Sequence, residues 1–462
     1  MAPDERPLWG SRVRAPLTAP AAALSSSTEV DRPLAAHDVA ASRAHVGELH
    51  RLGLVDDDGK DRLDRALADV AAKLQDGTFA WEEAREDVHM NVEAAIRALV
   101  GPGLAGQLQA GRSRNDEIVT DERLWLLEAV VRLDSRLQRL QHTLVQRAEQ
   151  EIETVLPAHT HTQPAQPMLL AHHLLAHAEA LARDRARLAD AAGRADRSPA
   201  GSAASVGSGL PLDREAVATA LGFGGVTANS LDAVADRDYA IETVAACTLT
   251  FTHLSRLAAD FVLWSTPYLG FARISDGYAT GSSMLPNKRN PDVAELVRGR
   301  AARANGALAG MLGLLHGLPL GYHRDLQELR GPMLETVGSL ELCLEAVDGM
   351  VAEVTFDRNR MAGAAATGHA LATALAERLV AAGVPFRDAH WRVGELVAEA
   401  EGLGCDIAEL PAGRLGDALP ELADHDPIIP SLADALAAAD VIGGTAPPRV
   451  REALSTMKER VG

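Results

Sequence analysis

The sequence predicts an all-α fold, with a central bundle of long helices between two smaller helical domains. Hydrophobic residues make up 47% of the chain and aromatic residues only 3%, and alanine and leucine dominate. Both are strong helix formers. Apolar residues recur at helical spacing over long stretches, whereas glycine and proline break the chain into shorter stretches after about residue 357. We therefore expect an N-terminal domain over 1–110, the bundle over 111–356 and a C-terminal domain over 357–462.

Composition also excludes several classes of function. A length of 462 residues allows a large core and two or three domains. The formal net charge of −19 argues against non-specific binding to nucleic acid or to an anionic membrane. No apolar run is long enough to span a bilayer, and the N-terminus lacks a signal-peptide pattern. Three scattered cysteines predict neither a disulfide framework nor a zinc site. A cytoplasmic protein is the expectation.

The N-terminal part reads as an extended arm followed by helices. Residues 1–24 are rich in proline and alanine. Helical stretches follow at about 35–52, 59–77 and 81–100. In isolation Ser27 reads as a cap or loop residue, and Glu86, Asp87 and His89 read as the solvated face of a helix.

The stretch GRSRND, at Gly111–Asp116, precedes a long helix. Arg112 and Arg114 flank a serine, and Asn115 follows; arginine is suited to bidentate binding of a carboxylate. The alternative is a basic loop that only caps the helix. The helix itself, at about 120–153, exceeds eight turns and suits a bundle.

A stretch rich in histidine and glutamine, LPAHTHTQPAQP at 156–167, reads as a loop before a second long helix that reaches about Arg194. The His-x-His pattern could indicate a metal site, but no third or fourth ligand lies nearby in the sequence. The histidines of the following helix are interpreted as packing and surface residues: His172, His173 and His177.

Two further segments precede the third long helix, which reaches about residue 265. Residues 198–209 form a small-residue loop that would let backbone approach a ligand closely. Asp236, Arg237 and Asp238 then follow, and a surface cluster of salt bridges is the simplest explanation for them.

The stretch GSSMLPNKRNPDVAE, from Gly281 to Glu295, combines a serine pair with a positive helix start. Asn290 is a good N-cap, and the proline after it is favoured at the first helical position. Ser282, Ser283 and Lys288 then lie beside the N-terminus of a helix over about 291–316, where an anion binds and developing negative charge is stabilised. The alternative is a surface turn before an ordinary helix.

The last polar stretch, YHRDLQELR at 322–330, follows a break at Gly317–Pro319. It contains Tyr322, Gln327 and Arg330. The remaining residues, from about 357, form the short helices of the C-terminal domain.

These motifs together resemble one superfamily of lyases. The 281–295 stretch resembles the signature loop of the aspartase/fumarase superfamily, and GRSRND is typical of its argininosuccinate lyases. LWGSR at 8–12 resembles the LWGGR opening of the same enzymes, and the 156–167 stretch and the DRD motif also match. The chain departs from the family pattern at Thr162, His323, Leu329 and Arg330 and in the 198–209 loop.

The resemblance implies reversible elimination of argininosuccinate to arginine and fumarate, without a metal or organic cofactor. It implies that Ser282 is the base, that Lys288 and the helix start stabilise the aci-carboxylate, and that His161, paired with Glu295, is the acid. It places the fumarate portion on Arg114, Asn115, Thr160, Lys288 and Asn290, with Gln163 and Ser283 also in contact with substrate. It places the amino-acid portion on Ser27, Asp31, Asp87, Arg237, Tyr322, Gln327 and Arg330.

The resemblance further implies a homotetramer whose sites combine loops from three subunits. Three alternatives stay open. The chain could be a related lyase that releases fumarate from a different N-substituted aspartate, a non-catalytic structural relative, or a helical scaffold or binding module. Retention of Ser282, His161, Lys288 and Glu295 together disfavours the last two.

Overall fold

The computed structural model describes residues 17–462, so the LWGSR motif at 8–12 lies outside the described residues. The described chain is helical apart from three pairs of short strands, which confirms the predicted all-α class. None of the helices within this range is both long enough and apolar enough to cross a membrane.

The helices follow one another along the whole described chain. Those before the first long helix are α1 Ala19–Ser25, α2 Thr28–Asp31, α3 Ala35–Arg51, α4 Asp57–Gln75, α5 Val88–Val100 and α6 Pro102–Gln107. The middle helices are α7 Arg114–Gln150, α8 Leu170–Ala195, α9 Arg214–Ala220, α10 Ser230–Ala235, α11 Asp238–Trp264, α12 Asp292–Leu315 and α13 Arg330–Glu353. The last are α14 Arg358–Ala365, α15 Ala372–Ala381, α16 Phe386–Leu403, α17 Ala412–Ala418, α18 Leu432–Ala438 and α19 Pro447–Val461.

The strands are short and pair antiparallel. They are β1 Val155–Thr160, β2 Gln163–Leu169, β3 Ala272–Arg273, β4 Thr280–Gly281, β5 Arg289–Asn290 and β6 Thr355–Phe356. Strand β1 pairs with β2, β3 with β6, and β4 with β5.

Helix α7 begins earlier than the sequence predicted, at Arg114 instead of residue 120. The reason is a reciprocal cap. The Asn115 N–H donates to Ser113 Oγ at 3.3 Å, and the Ser113 N–H donates to Asp116 Oδ1 at 2.9 Å. This pattern satisfies N–H groups that a helix start leaves without partners. Leu126, Leu133, Leu137, Leu140 and Leu144, along one side of α7, are fully buried.

The predicted loop at 156–167 is wrong, because these residues form the hairpin β1–β2. His161 and Thr162 make its two-residue turn, with φ of 54° and 60°. Positive φ at both central positions matches the twist of a tight hairpin. The two prolines of β2 are tolerated because a two-stranded ribbon leaves edge positions open. Helix α8 consequently begins at Leu170, three residues after the end of the predicted loop.

Two other predicted helix starts are also wrong. Helix α5 begins at Val88, because Asp87 is its N-cap and Oδ1 accepts a hydrogen bond from the Met90 N–H at 2.8 Å. Asn290 does not cap α12; it lies in β5, paired with Thr280, and the helix begins at Asp292. In both places a local polar contact moves the boundary, which periodicity alone does not show.

The chain forms two compact units. The first unit takes 17–134 of the described chain with 186–248 and 303–340; the second takes 135–185, 249–302 and 341–462. The first unit contains a core from α3, α4, α5 and α6, including Leu49, Leu63 and Ile96. The second contains a core from α15 to α17 with neighbouring turns, including Leu379 and Leu396. These cores suit small N- and C-terminal domains, and the boundaries at 110 and 356 stay a prediction.

Helix α3 of the first unit buries a histidine that sets a pH dependence. His45 Nε2 lies 2.9 Å from the Ala110 carbonyl oxygen. Burial, and then the charge of Arg112, lower the pKa of His45 to about 3. Burial likewise raises the pKa of Asp116 to about 6.

We expect the free energy of unfolding to fall by about 2 kcal/mol more in the wild type than in His45→Gln between pH 7 and pH 5. The folded state keeps His45 neutral, whereas the unfolded chain takes up a proton near its ordinary pKa of about 6.5. The stability contribution is therefore complete above pH 6.5 and is lost as the pH falls toward about 3.

Urea unfolding at the two pH values measures this difference. The raised pKa of Asp116 has the opposite sign, since its contribution is lost as the pH rises through about 6. It is present in both proteins and cancels in the comparison. Equal losses of stability in the two proteins would contradict a buried neutral His45.

Candidate active site

The first unit contains a buried pair of opposite charges between α2 and α13. Ser27 is the N-cap residue of α2 and lies four residues before Asp31, and its Oγ donates to Asp31 Oδ2 at 2.5 Å. Arg330 Nη1 lies 2.8 Å from Asp31 Oδ1, and the two side chains are only 6% and 0% exposed. Three predicted site residues are therefore in direct contact.

Glu122 of α7 extends this pair into a chain of alternating charges. Its Oε1 lies 3.8 Å from Arg330 Nε, and its Oε2 lies 3.5 Å from Arg237 Nε. The hydroxyl of Tyr239 also donates to Glu122 Oε2. We call Asp31, Arg330, Glu122 and Arg237 the charge chain. Glu122 was not singled out in the sequence, although its position one helical turn before Leu126, on the side of α7 that carries the buried leucines, was a usable signal.

Arg237 is not part of a surface salt-bridge cluster, because its side chain is almost fully buried. Its Nη1 donates to the carbonyl oxygens of Asp236 at 2.6 Å and Val234 at 3.3 Å. Asp236, the acidic residue before it, pairs with the side chain of Arg123. Tyr322, which precedes α13 in the chain, is half-buried.

Asp87 connects the N-cap of α5 to the start of α7. Its Oδ1 caps the Met90 N–H, and its Oδ2 accepts from Arg114 Nη1 at 3.0 Å. The Arg114 side chain is 34% exposed, so part of its guanidinium faces solvent. Asn115 Nδ2 donates to the Ala204 carbonyl oxygen at 3.0 Å. Arg114 and Asn115 thus lie beside Asp87 and the small-residue loop.

The interpretation of Asp87 and His89 as a solvated helix face is wrong, since both are buried. His89 Nδ1 lies 3.1 Å from Asp38 Oδ1, and Nε2 lies 3.8 Å from Asp121 Oδ2. Although burial opposes it, the carboxylates of Asp38 and Asp121 raise the pKa of His89 well above its ordinary value. A buried histidine cation paired with Asp38 therefore supports the helix that Asp87 caps, while burial and the charge of Asp38 raise the pKa of Asp121 well above its ordinary value.

The segment 322–330 contributes to the first unit through a turn of 3₁₀-helix, Arg324–Leu329. Gln327 is half-buried there, and its carbonyl oxygen accepts from the Arg330 N–H. Arg324, which the sequence reading did not single out, places Nη1 2.6 Å from Glu86 Oε1. Unlike the Arg330 pair, this pair is exposed on the arginine side.

The signature loop belongs to the second unit. Pairing of Thr280 with Asn290 and of Gly281 with Arg289 brings the two ends of the loop together. Ser282 Oγ accepts hydrogen bonds from the N–H groups of Met284 at 3.2 Å and Leu285 at 3.0 Å. These two donors stabilise negative charge on that oxygen.

The other signature-loop residues are turned to solvent in the chain. Ser283, Lys288 and Glu295 are exposed, whereas Ser282 and Asn290 are half-buried. Glu295 lies in the first turn of α12, and its N–H donates to the Pro291 carbonyl oxygen at 3.1 Å.

His161 lies at the tip of the hairpin β1–β2, also in the second unit. Thr160 and Gln163 pair across the turn, and all three residues are exposed. Within residues 17–462, the side chains of His161 and Glu295 form no ion pair with each other. Their pairing stays a prediction that requires a second subunit.

The predicted site residues therefore divide between the two units. The first unit contains Ser27, Asp31, Asp87, Arg114, Asn115, Arg237, Tyr322, Gln327 and Arg330. The second contains Thr160, His161, Gln163, Ser282, Ser283, Lys288, Asn290 and Glu295. The first set is mainly buried and joined by ion pairs, and the second lies mainly on exposed loops.

Comparison with known proteins identifies the family of the chain. A family model described as Lyase matches residues 18–306, and one described as Argininosuccinate lyase C-terminal matches 369–439. The argininosuccinate lyase of Hyphomonas neptunium is 41% identical over 455 residues, covering 98% of each chain. That of Cupriavidus necator is 42% identical over 457 residues, covering 98% of this chain and 97% of the relative.

Solved structures share the fold. A variant of EDDS lyase with bound fumarate matches with a TM-score of 0.82 at 26% identity, covering 95% of this chain and 91% of that one. A class II fumarase from Schistosoma mansoni matches with a TM-score of 0.77 at 17% identity, covering 87% and 91%. With matches at this identity over nearly its whole length, the chain belongs to the argininosuccinate lyase family of the aspartase/fumarase superfamily.

Proposed function

We propose that this protein cleaves the C–N bond of argininosuccinate, giving arginine and fumarate, by general acid–base elimination. The observation that carries the proposal is the match over 98% of the chain to two argininosuccinate lyases. The fumarate bound in the related EDDS lyase variant supports a product of the same kind.

The first unit supports recognition of the amino-acid portion. Arginine carries a guanidinium, an ammonium and a carboxylate, so its site needs groups of both signs. Asp31 and Asp87 supply carboxylates, and Arg237 and Arg330 supply cations, all of them buried. Burial strengthens their interaction with a charged ligand. Ser27, Tyr322 and Gln327 complete the set, and the fumarate portion binds Arg114 and Asn115.

The signature loop supports the chemical step. The base must remove a proton from the carbon beside a carboxylate, and the charge then spreads into that carboxylate. We assign the role of base to Ser282, whose Oγ accepts hydrogen bonds from two backbone N–H groups. Lys288, Asn290 and the N-terminus of α12 supply positive charge for the aci-carboxylate. Ser283, Thr160 and Gln163 are assigned to substrate binding.

Departure of the amine requires a proton, which we assign to His161. Its position on a tight two-residue turn sets the ring at the end of a hairpin. A carboxylate beside the imidazole would fix its tautomer and favour its protonated form, and Glu295 is the assigned partner.

A second candidate is a related lyase that releases fumarate from a different N-substituted aspartate. It is favoured by the EDDS lyase structures at 26% identity and by the departures from the family pattern at 322–330. Two residues of that segment form ion pairs, Arg324 with Glu86 and Arg330 with Asp31. On this second reading, these residues would select a leaving group other than arginine.

The test is a spectrophotometric assay of fumarate release with argininosuccinate, adenylosuccinate and other N-substituted aspartates. We expect kcat/KM for argininosuccinate to exceed that for each other substrate by at least about 100-fold, because buried charges reject ligands that leave them unpaired. A higher kcat/KM on another substrate would establish the second candidate instead.

We further propose a homotetramer with shared active sites. Long helices of the chain leave large apolar side chains exposed, including Leu249 and Leu263 on α11, Leu296 on α12 and Leu342 on α13. Exposed apolar surface of this kind favours association between copies. The exposed loops around Ser282 and His161 would also gain water exclusion from a neighbouring subunit.

Mixing His161→Asn with Ser282→Ala subunits is expected to restore about a quarter of wild-type activity. Each site takes His161 and Ser282 from different subunits, so random mixing leaves both intact with that frequency. The subunits are mixed after reversible dissociation, and activity and mass by light scattering are measured. No recovery in a correctly reassembled tetramer, or a fully active monomer, would contradict shared sites.

We place the enzyme in the cytoplasm. In the described chain no disulfide joins Cys247, Cys343 and Cys405. Reduced thiols are the usual state in a reducing compartment.

A further inference from the structure

Two histidines and an aspartate of the second unit form a cluster outside the proposed elimination machinery. His173 and His177 lie four residues apart on α8, so both project from one face of that helix. Asp260 lies on α11. Its Oδ2 is 2.8 Å from His173 Nε2 and 3.0 Å from His177 Nε2. The three ligand atoms all lie within 4.8 Å of one another.

The cluster is held in place but open on one side. The side chains of His173, His177 and Asp260 are 22%, 16% and 31% exposed. The ring of Trp264 packs 4.9 Å from that of His173, which limits its motion. His159, on β1, interacts electrostatically with both His173 and Asp260. The exposed side leaves room for an ion to enter and for a water ligand.

We propose that His173, His177 and Asp260 bind a divalent transition-metal ion such as Zn²⁺. Two imidazole nitrogens and one carboxylate oxygen are a set of three protein ligands that Zn²⁺ uses with water in the fourth position. Histidines at i and i+4 of a helix direct two nitrogens to one ion. His159, a further imidazole that interacts electrostatically with His173 and Asp260, is the candidate for a fourth protein ligand.

The geometry needs only a small adjustment to hold the ion. Metal–nitrogen distances of about 2.0–2.1 Å in a tetrahedral site separate the ligand atoms by roughly 3.3 Å. The present separations from Asp260 are 2.8 and 3.0 Å, so its carboxylate must withdraw slightly. Each imidazole would move its proton from Nε2 to Nδ1, which frees the Nε2 lone pair without a change in charge.

The alternative is that the cluster only joins α8 to α11 by hydrogen bonds. A bound ion would also link α8 to α11 through metal–ligand bonds, close to the end of β2. Helix α8 begins at Leu170, directly after the hairpin whose tip carries His161. We therefore expect the ion to stabilise the second unit without taking part in the elimination.

Metal binding is tested on the full-length protein after treatment with a chelator. Zn²⁺ is titrated by calorimetry, Co²⁺ by its visible absorption, and the unfolding temperature is measured with and without Zn²⁺. His173→Gln and Asp260→Asn are compared with the matched control His172→Gln, a neighbouring half-buried histidine for which no contact with Asp260 is seen.

We expect one ion per chain in the wild type and in His172→Gln, with a rise in unfolding temperature of several degrees. His173→Gln and Asp260→Asn should bind at least about tenfold more weakly and lose that rise. Equal affinity in all four proteins, or no binding in the wild type, would overturn the proposal. If Asp260→Asn does not fold, the comparison of His173→Gln with His172→Gln decides. If removal of the metal by a chelator abolished fumarate release, the claim that the ion takes no part in the elimination would be wrong.

Discussion

Ser282→Ala is expected to lower kcat by at least about 1,000-fold while the protein keeps its fold. Ser282 is half-buried in a loop, and its small hydroxyl contributes little packing. It accepts hydrogen bonds from the N–H groups of Met284 and Leu285, which stabilise an alkoxide there. Alanine removes the atom that would take the proton from substrate, and among residues 17–462 no other hydroxyl accepts from these two N–H groups.

The control is Ser275→Ala, a serine seven residues earlier whose hydroxyl donates to Glu353 Oε2 at 2.6 Å. It loses an exposed hydrogen bond and should keep kcat within about twofold. Single-turnover kinetics of fumarate release and the inhibition constant of fumarate separate chemistry from binding. Turnover of Ser282→Ala close to that of Ser275→Ala would remove Ser282 from the role of base.

Arg330→Gln is expected to destabilise the protein by about 3–5 kcal/mol, because it leaves a buried carboxylate without its partner. Asp31 is fully buried, and Arg330 Nη1 lies 2.8 Å from it. Burial raises the pKa of Asp31, while Arg330 and the Ser27 hydroxyl lower it. Without the arginine the carboxyl would bind a proton more readily, and Glu122 would also lose a cation. Binding of the amino-acid portion should weaken at the same time.

Arg324→Gln is the matched control, since it removes a charge from the same segment. Its partner is Glu86, and the Arg324 side chain is 51% exposed, so the loss should stay below about 1 kcal/mol. The loss of stability in Arg330→Lys should lie between those of the two glutamine variants. Lysine keeps the positive charge, but it lacks the separate Nη1 and Nε donors that face Asp31 and Glu122. Urea unfolding and kcat/KM are measured for all three. Equal stability of Arg330→Gln and Arg324→Gln would contradict the importance of the charge chain.

The helical class and the family were both predictable from the sequence, and both are confirmed. Long apolar periodicity appears in the chain itself, and the signature stretch at 281–295 is long enough to be specific. The hairpin β1–β2 was not predictable from periodicity, because a seven-residue strand with two prolines resembles a loop. Its turn depends on positive φ at His161 and Thr162, and the β-branched Thr162 rarely adopts that conformation.

The contents of the candidate site were predictable only in part. Ser27, Asp31 and Arg330 were named by resemblance, and the structure brings them into contact. Glu122 was not, because a charged residue in a long helix reads as solvent-facing until its neighbours are known. The assigned roles of all site residues stay predictions, as does the pairing of His161 with Glu295.

By itself, the sequence determined the helical class, the family and the identity of the residues in the signature loop, because these depend on periodicity and on local order along the chain. Only the tertiary structure decided which charges are buried and which partners they have. Asp31 and Arg330 are about 300 residues apart in sequence, and His173 and Asp260 lie on different helices. Contacts of this kind depend on the packing of whole helices, and a linear pattern carries no information about such distances.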